Sequence, residues 1–164
     1  MPDLRIVVLA SGAGTLLQAL LDSDIGRRIV AVGSDQSEAP ALARAWAADV
    51  PTFVVPMAED REVWNIDLVQ HLQAHEADFV VTAGFMRVLG GTVIEAFENR
   101  IINSHPALLP SFPGAHAVRD AVESGVKVTG CTIHIVDEGV DTGPIIAQCP
   151  VTIDDGDTVE ALHE

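Results

Sequence analysis

Residues 4–21, LRIVVLASGAGTLLQALL, decide the fold. The opening LRIVVLA (4–10) is a short continuous apolar run rich in β-branched side chains, the pattern of a parallel strand buried on both faces. Leu16, Leu17, Leu20 and Leu21 then recur at helical spacing. Between them SGAGT (11–15) supplies glycines that allow a tight turn, so the stretch reads strand, turn, helix.

The alternation continues. RIVAVGS (28–34) reads as a second strand, EAPALARAWAA (38–48) as a second helix and TFVV (52–55) as a short strand. REVWNIDLVQHLQAH (61–75) is a third, amphipathic helix leading into DFVVTAG (78–84). This β-α-β-α-β-α-β order predicts an α/β, Rossmann-like doubly wound, mostly parallel sheet with right-handed crossovers. The second half changes character. After RIINSH (100–105) come a proline-rich loop, a helix predicted over 115–124, and two longer strands, VKVTGCTIHIVDE (126–138) and PIIAQCPV (144–151). Their short link GVDTG predicts an antiparallel C-terminal hairpin. Strand alternation puts Thr132, His134 and Val136 on one face and Cys131, Ile133 and Ile135 on the other. DTVEALHE (157–164) opens like a helix, with Asp157 as N-cap and Glu160 in the capping-box position, and its early stop predicts a truncated C-terminal helix.

At 164 residues, 48% hydrophobic and 20% charged, the composition fits one globular domain over 1–164. No apolar run approaches a membrane span, and MPDLRIVVLA lacks the basic region and cleavable apolar stretch of a secretory signal, so a cytoplasmic location is expected. Cys131 and Cys149 lie in apolar, strand-like surroundings without metal spacing, and are expected to be buried thiols. The formal net charge of −15 argues against nucleic acid and makes an anionic substrate a problem of local geometry, because Lys127 is accompanied only by eight arginines. Backbone amides are the natural answer.

Three stretches can carry chemistry. SGAGT, at a strand-to-helix turn, offers free amides at a helix N-terminus, which favour an anion; a plain turn is the alternative. It is neither a P-loop, since no Gly-Lys-Ser/Thr follows, nor a dinucleotide fingerprint, since Leu17 occupies the third glycine position. AGFMRVLGG (83–91) lies at the C-terminal end of a strand, where open α/β sheets bind ligands. There Met86, Val88 and Leu89 can line an apolar slot beside Arg87, or Met86 and Leu89 can join the core with Arg87 solvated. In NSHPALLPSFPG (103–114), Asn103 and His105 face the same way on extended backbone, and Pro106 and Pro110 stiffen the exit. An amide donor beside an imidazole suits a developing oxyanion, and Asp141, in VDEGVDTGPI (136–145), can orient the imidazole or relay a proton. Taken singly, a strand-end histidine and an Asp-Thr-Gly-Pro turn are also ordinary structural features.

Together, VVLASGAGTLLQALL, VVTAGFMRVL, IINSHPALLPSFPGAHAVRDAVESG and GCTIHIVDEGVDTGPIIAQ, in this order and spacing, closely resemble the phosphoribosylglycinamide formyltransferase family, the folate-dependent transformylases of purine biosynthesis. The resemblance runs from Arg5 to the end. It implies an enzyme that passes the formyl group of 10-formyltetrahydrofolate directly to the amine of glycinamide ribonucleotide, without a metal. It assigns phosphate binding to Gly12, Gly14, Thr15 and Leu16. Folate binding falls to Arg61, Met86, Arg87, Val88, Leu89 and Asn103, and to the loop Asp137, Glu138, Gly139, Val140 and Asp141. The catalytic trio is Asn103, His105 and Asp141, with His134 as a supporting neighbour. Residues 1–100 then form a ribonucleotide-phosphate-binding half and 101–164 a catalytic and folate-binding half. The resemblance further implies a cis Leu109–Pro110 bond.

Leu16, Asn65 and Ser111 depart from the residues usual in the family, which carries Asn, Asp and a basic residue there. The implied partners are the ribonucleotide and the folate, with neither nucleic acid nor membrane; a homodimer is compatible with the sequence. Competing readings are a formyltetrahydrofolate hydrolase, a methionyl-tRNA formyltransferase and a non-catalytic sugar-phosphate-binding module. The retained Asn103, His105 and Asp141 oppose the last of these.

Overall fold

The first strand, β1 (Ile6–Leu9), is buried at all four positions, so both of its faces meet core. This is why its sequence is continuously apolar rather than alternating. The computed structural model describes residues 4–163, and the chain divides into two compact units, Met1–Ile102 and Asn103–Glu164.

In the first unit β1 pairs in parallel with β2 (Ile29–Ser34) on one side and with β4 (Phe79–Thr82) on the other. β3 (Thr52–Val54) extends the sheet beyond β2, giving the order β3-β2-β1-β4. β5 (Ile101–His105) starts in this unit, where the amide of Val80 donates to the carbonyl of Arg100 at 2.9 Å. Helix α1 (Thr15–Leu21) buries Leu17 against a cluster holding Ile6, Val8, Val32, Ala41 and Ala45. A packed leucine, not a glycine, therefore stands where a dinucleotide fold would need close helix approach. Gly14, the residue before α1, is left-handed (φ 71°), and a Cβ there would lie 2.8 Å from Ala41 of α2 (Pro40–Ala47). Only glycine satisfies both demands.

Helix α3 (Arg61–Ala74) begins where the Asp60 carboxylate accepts hydrogen bonds from the amides of Glu62 and Val63. It buries Trp64, Leu68 and Leu72, each contributing about 1.5–3 kcal/mol of transfer free energy. The Trp64 indole N–H is satisfied by the Val55 carbonyl at 3.0 Å. A further helix, α4 (Gly91–Ala96), has no counterpart in the sequence reading. Six residues opening on glycine and carrying Thr, Val and Ile give no helical signal.

The second unit pairs β6 (Val128–Ile135) with β7 (Ile145–Thr152) as the expected antiparallel hairpin, in register from Val128 opposite Thr152 to His134 opposite Ile145, with an irregularity at Ile133/His134. Helix α5 (Ala117–Ser124) buries Ala117, Val118 and Ala121 and ends at left-handed Gly125. The parallel strands of the first unit and the antiparallel C-terminal hairpin of the second are each as the sequence predicts. Buried Thr132 holds the proline loop: its hydroxyl donates to the Ala107 carbonyl at 2.7 Å and accepts from the Leu109 amide at 3.0 Å. Gln148 adds a bond to the Leu109 carbonyl at 2.9 Å. The Leu109–Pro110 bond is cis, as the resemblance implied.

Two expectations fail. Cys131 is only partly buried and Cys149 is exposed, because β7 is terminal in the strand order and all eight of its residues are exposed despite their apolar composition. The N-cap of α6 (Val159–His163) is Thr158, whose hydroxyl accepts from the Ala161 amide at 3.2 Å. Asp157 instead accepts from the Asp154 amide, which closes the preceding turn. Among the described residues no helix is long and apolar enough to cross a membrane.

Candidate active site

In the second unit, the end of β5, the proline loop and the hairpin link bring together Asn103, His105, His134 and Asp141. His105 and His134 are buried, 4% and 2% exposed. Each ring is anchored by one nitrogen to a backbone carbonyl: His105 Nε2 to Phe112 at 2.8 Å, and His134 Nδ1 to Ile135 at 2.9 Å. A carbonyl oxygen only accepts, so these nitrogens carry hydrogen. When the rings are neutral, the lone pairs fall on His105 Nδ1 and His134 Nε2. Asn103 Nδ2–H donates to that His134 lone pair at 3.1 Å.

Asp141 lies beside both remaining nitrogens. Its Oδ2 is 3.4 Å from His105 Nδ1 and its Oδ1 is 3.6 Å from His134 Nε2. Both distances exceed a good hydrogen bond, whereas the Gly114 amide donates to Oδ2 at 2.8 Å. Asp141 is left-handed (φ 56°), a conformation that costs a non-glycine residue on the order of 1 kcal/mol and is held here by its surroundings. The link is tightened by Gly143, where a Cβ would meet the Ile135 carbonyl, and by Asp137, which accepts from the Gly139 amide and the Thr142 hydroxyl. Glu138, Gly139 and Val140 are exposed at its tip.

In the first unit the loop Ser11–Leu16 leaves Gly12 and Thr15 exposed, and α1 has no side-chain cap. Arg44 braces the loop from α2, donating through Nε to the Ala13 carbonyl at 2.7 Å and through Nη1 to Gln18 at 3.2 Å. Nothing in the sequence marks Arg44. The second loop divides its residues. Met86 and Val88 are exposed, at 67% and 59%, while Leu89 joins the core. Arg61 donates to the Val88 carbonyl and stacks over the Trp64 ring at 4.8 Å. Asn65, buried at 4%, accepts from the Gly90 amide at 3.1 Å, a bond that the family's usual Asp could also accept. Ser111 is exposed on the proline loop.

Arg87 is partly exposed, but it is not idle. Its Nε donates to Asp35 Oδ2 at 2.6 Å. Ser11 Oγ donates to Asp35 Oδ1 at 2.6 Å and accepts from the Met86 amide at 2.9 Å, while Gln36 Nε2 donates to Oδ2 at 3.0 Å. Burial pushes the Asp35 carboxyl up, but the bonds from Ser11, Arg87 and Gln36 outweigh it and hold it below the usual carboxylate value. Asp35 was missed: in GSDQ it looks like turn chemistry, and its partners are 24 and 52 residues away. Among the described residues no group of three or more His, Cys, Asp or Glu is arranged to hold a metal ion.

The Formyl transferase family profile matches residues 4–164. The chain belongs to the formyl transferase family. Within that family it is 53% identical over 165 residues to a phosphoribosylglycinamide formyltransferase of Mycobacterium tuberculosis, covering 98% of this chain and 76% of the relative. The enzyme of the same name from Bacillus subtilis is 38% identical over 166 residues, covering 98% of this chain and 85% of that one. A crystal structure of glycinamide ribonucleotide transformylase 1 from Symbiobacterium toebii superposes with a TM-score of 0.95 at 46% identity, covering 99% of this chain and 80% of that one. This formyl transferase therefore carries Asn103, His105 and Asp141 in one cluster of its second unit, and the Ser11–Leu16 and Met86–Leu89 loops in its first.

Proposed function

We propose that this formyl transferase moves the formyl group of 10-formyltetrahydrofolate to the primary amine of glycinamide ribonucleotide, in purine biosynthesis in the cytoplasm. The observation that carries the reading is the Asn103–His105–Asp141 cluster in a chain 53% identical to an enzyme named for this reaction.

The amine attacks the formyl carbon, a C–N bond forms, and the carbonyl π pair moves onto oxygen. Asn103, its amide aimed by the bond to His134, and the Nδ1–H of protonated His105 donate to that oxyanion. The Phe112 carbonyl fixes the His105 ring so that Nδ1, beside Asp141, is the nitrogen that gains and loses the proton. Asp141 stabilises the imidazolium and carries the proton lost by the attacking nitrogen to the folate nitrogen. The carbonyl then re-forms and the bond to folate breaks. His134 must stay neutral for this, since protonation would turn its Nε2 into a donor and expel the Asn103 N–H. We assign the ribonucleotide phosphate to the Gly12, Gly14, Thr15 and Leu16 backbone, which answers the anion problem of an acidic chain. Folate is assigned to Arg61, Met86, Arg87, Val88 and the backbone of Leu89, whose side chain is in the core, with Asp137–Asp141 against its pterin.

The test follows formyl loss from 10-formyltetrahydrofolate with and without glycinamide ribonucleotide. Loss only with the ribonucleotide is the expected result. Loss with water alone would mark a hydrolase, and no loss would mark a binding module. Asn103→Ala should lower turnover about a hundred- to a thousandfold while both substrates still bind.

A further inference from the structure

The two cysteines, 18 residues apart in sequence, stand directly opposite each other across the β6–β7 ladder. Residues opposite one another on antiparallel strands project from the same face. Both thiols are free; Cys131 is partly buried, with Sγ 3.2 Å from Ser104 Oγ, and Cys149 is exposed. From this register we propose that Cys131 and Cys149 are a reversible dithiol–disulfide site, oxidised by low-molecular-weight disulfides of the glutathione class. The proposal is independent of the formyl-transfer reading.

The phase of the ladder sets the character of the bond. Ile153 N donates to the Lys127 carbonyl at 2.9 Å, which makes 127/153 a hydrogen-bonded pair. Counting along the register, 129/151 and 131/149 are hydrogen-bonded pairs too, and Gly130 opposite Pro150 is a non-bonded one, where the missing proline N–H costs nothing. At a hydrogen-bonded pair the Cα atoms are about 5.5 Å apart, inside the roughly 4.4–6.8 Å range of disulfides. The Cβ atoms, about 5.5 Å apart, must close by about 1 Å to reach disulfide spacing. The irregularity at Ile133/His134, two residues from Cys131, is where the ladder departs from regular pairing and can give. A bond made under that tension is readily reduced, which places it among labile disulfides rather than structural staples.

The chemistry balances in two exchanges. The exposed Cys149 thiolate attacks one sulfur of the small disulfide; its S–S bond breaks, one thiol leaves with a proton, and Cys149 carries a mixed disulfide. Cys131 then rotates away from Ser104 and attacks the Cys149 sulfur, expelling the second thiol. Two protein thiols are oxidised, and one small disulfide is reduced to two thiols.

The protein is equilibrated in a series of oxidised-to-reduced glutathione ratios, trapped by alkylation, and analysed by intact mass and peptide mapping. The expected product at high ratio has no alkylatable thiol, is lighter than the reduced chain by two hydrogen atoms, yields a peptide linking residues 131 and 149, and reverts fully in reduced glutathione. Cys131→Ser should accumulate the Cys149–glutathione adduct about tenfold or more over the parent, because nothing resolves it. Ser104→Ala should raise the linked fraction at an intermediate ratio about two- to tenfold by removing the bond that holds Cys131 away. Two persistent alkylatable thiols, a stable adduct on Cys149 beside a free Cys131, or a linkage between chains would each overturn the proposal.

Discussion

Asp35 and Asp141 are both shielded aspartates, each facing nitrogen-bearing side chains, and they are bonded in opposite ways. Asp35 accepts short bonds from Ser11, Arg87 and Gln36 on both oxygens, and its charge is answered at 2.6 Å. Asp141 accepts one good bond, from Gly114, and stands 3.4 Å and 3.6 Å from two imidazoles. A carboxylate whose lone pairs are filled has no reason to exchange a proton, and it fixes whatever donates to it. One whose neighbours stand beyond good hydrogen-bond distance keeps lone pairs free for a proton in transit. The first arrangement ties the Ser11 loop to the Met86–Leu89 loop within its unit; the second handles protons.

The contrast breaks most visibly at Asp141. Asp141→Asn keeps the acceptor for Gly114 and suits the left-handed backbone, so melting temperature should change by no more than about 3 °C, while turnover falls about 10²- to 10⁴-fold. Equal damage to stability and turnover would remove the distinction. Asp35→Ala should do the reverse. Stranding the Ser11 hydroxyl and the Arg87 guanidinium costs about 1–3 kcal/mol, a fall of about 4–10 °C in melting temperature, with KM rising more than kcat declines. The smallest effect is acid titration. Because the Asp35 carboxyl is held below its ordinary 3.8, its stabilisation is complete above that pH and is lost as pH falls through the lowered folded value. Denaturation followed between pH 5 and 2 should lose part of its pH dependence in Asp35→Asn, and an unchanged curve would contradict the assignment.

The same pair explains what the sequence discloses. β1 is legible because a strand buried on both faces has few polar positions, and α3 because Asp60 caps a clear helical period. Asn103, His105 and Asp141 stand out because prolines and glycines frame them locally. Asp35 and Arg44 are illegible because their partners are distant in the chain and only the fold supplies them. The cysteines mislead for another reason. β7 has a core strand's composition and an exposed strand's environment, and nothing within its own residues separates the two.

The opposite anchoring of the two imidazoles reaches beyond catalysis. With His105 held through Nε2 and His134 through Nδ1, the neutral rings are locked as different tautomers, each beside a different oxygen of one carboxylate. In a ¹⁵N spectrum they would stand as mirror images, each with its pyridine-like nitrogen where the other has its pyrrole-like one. The cluster thus carries its own internal reference for where a proton resides.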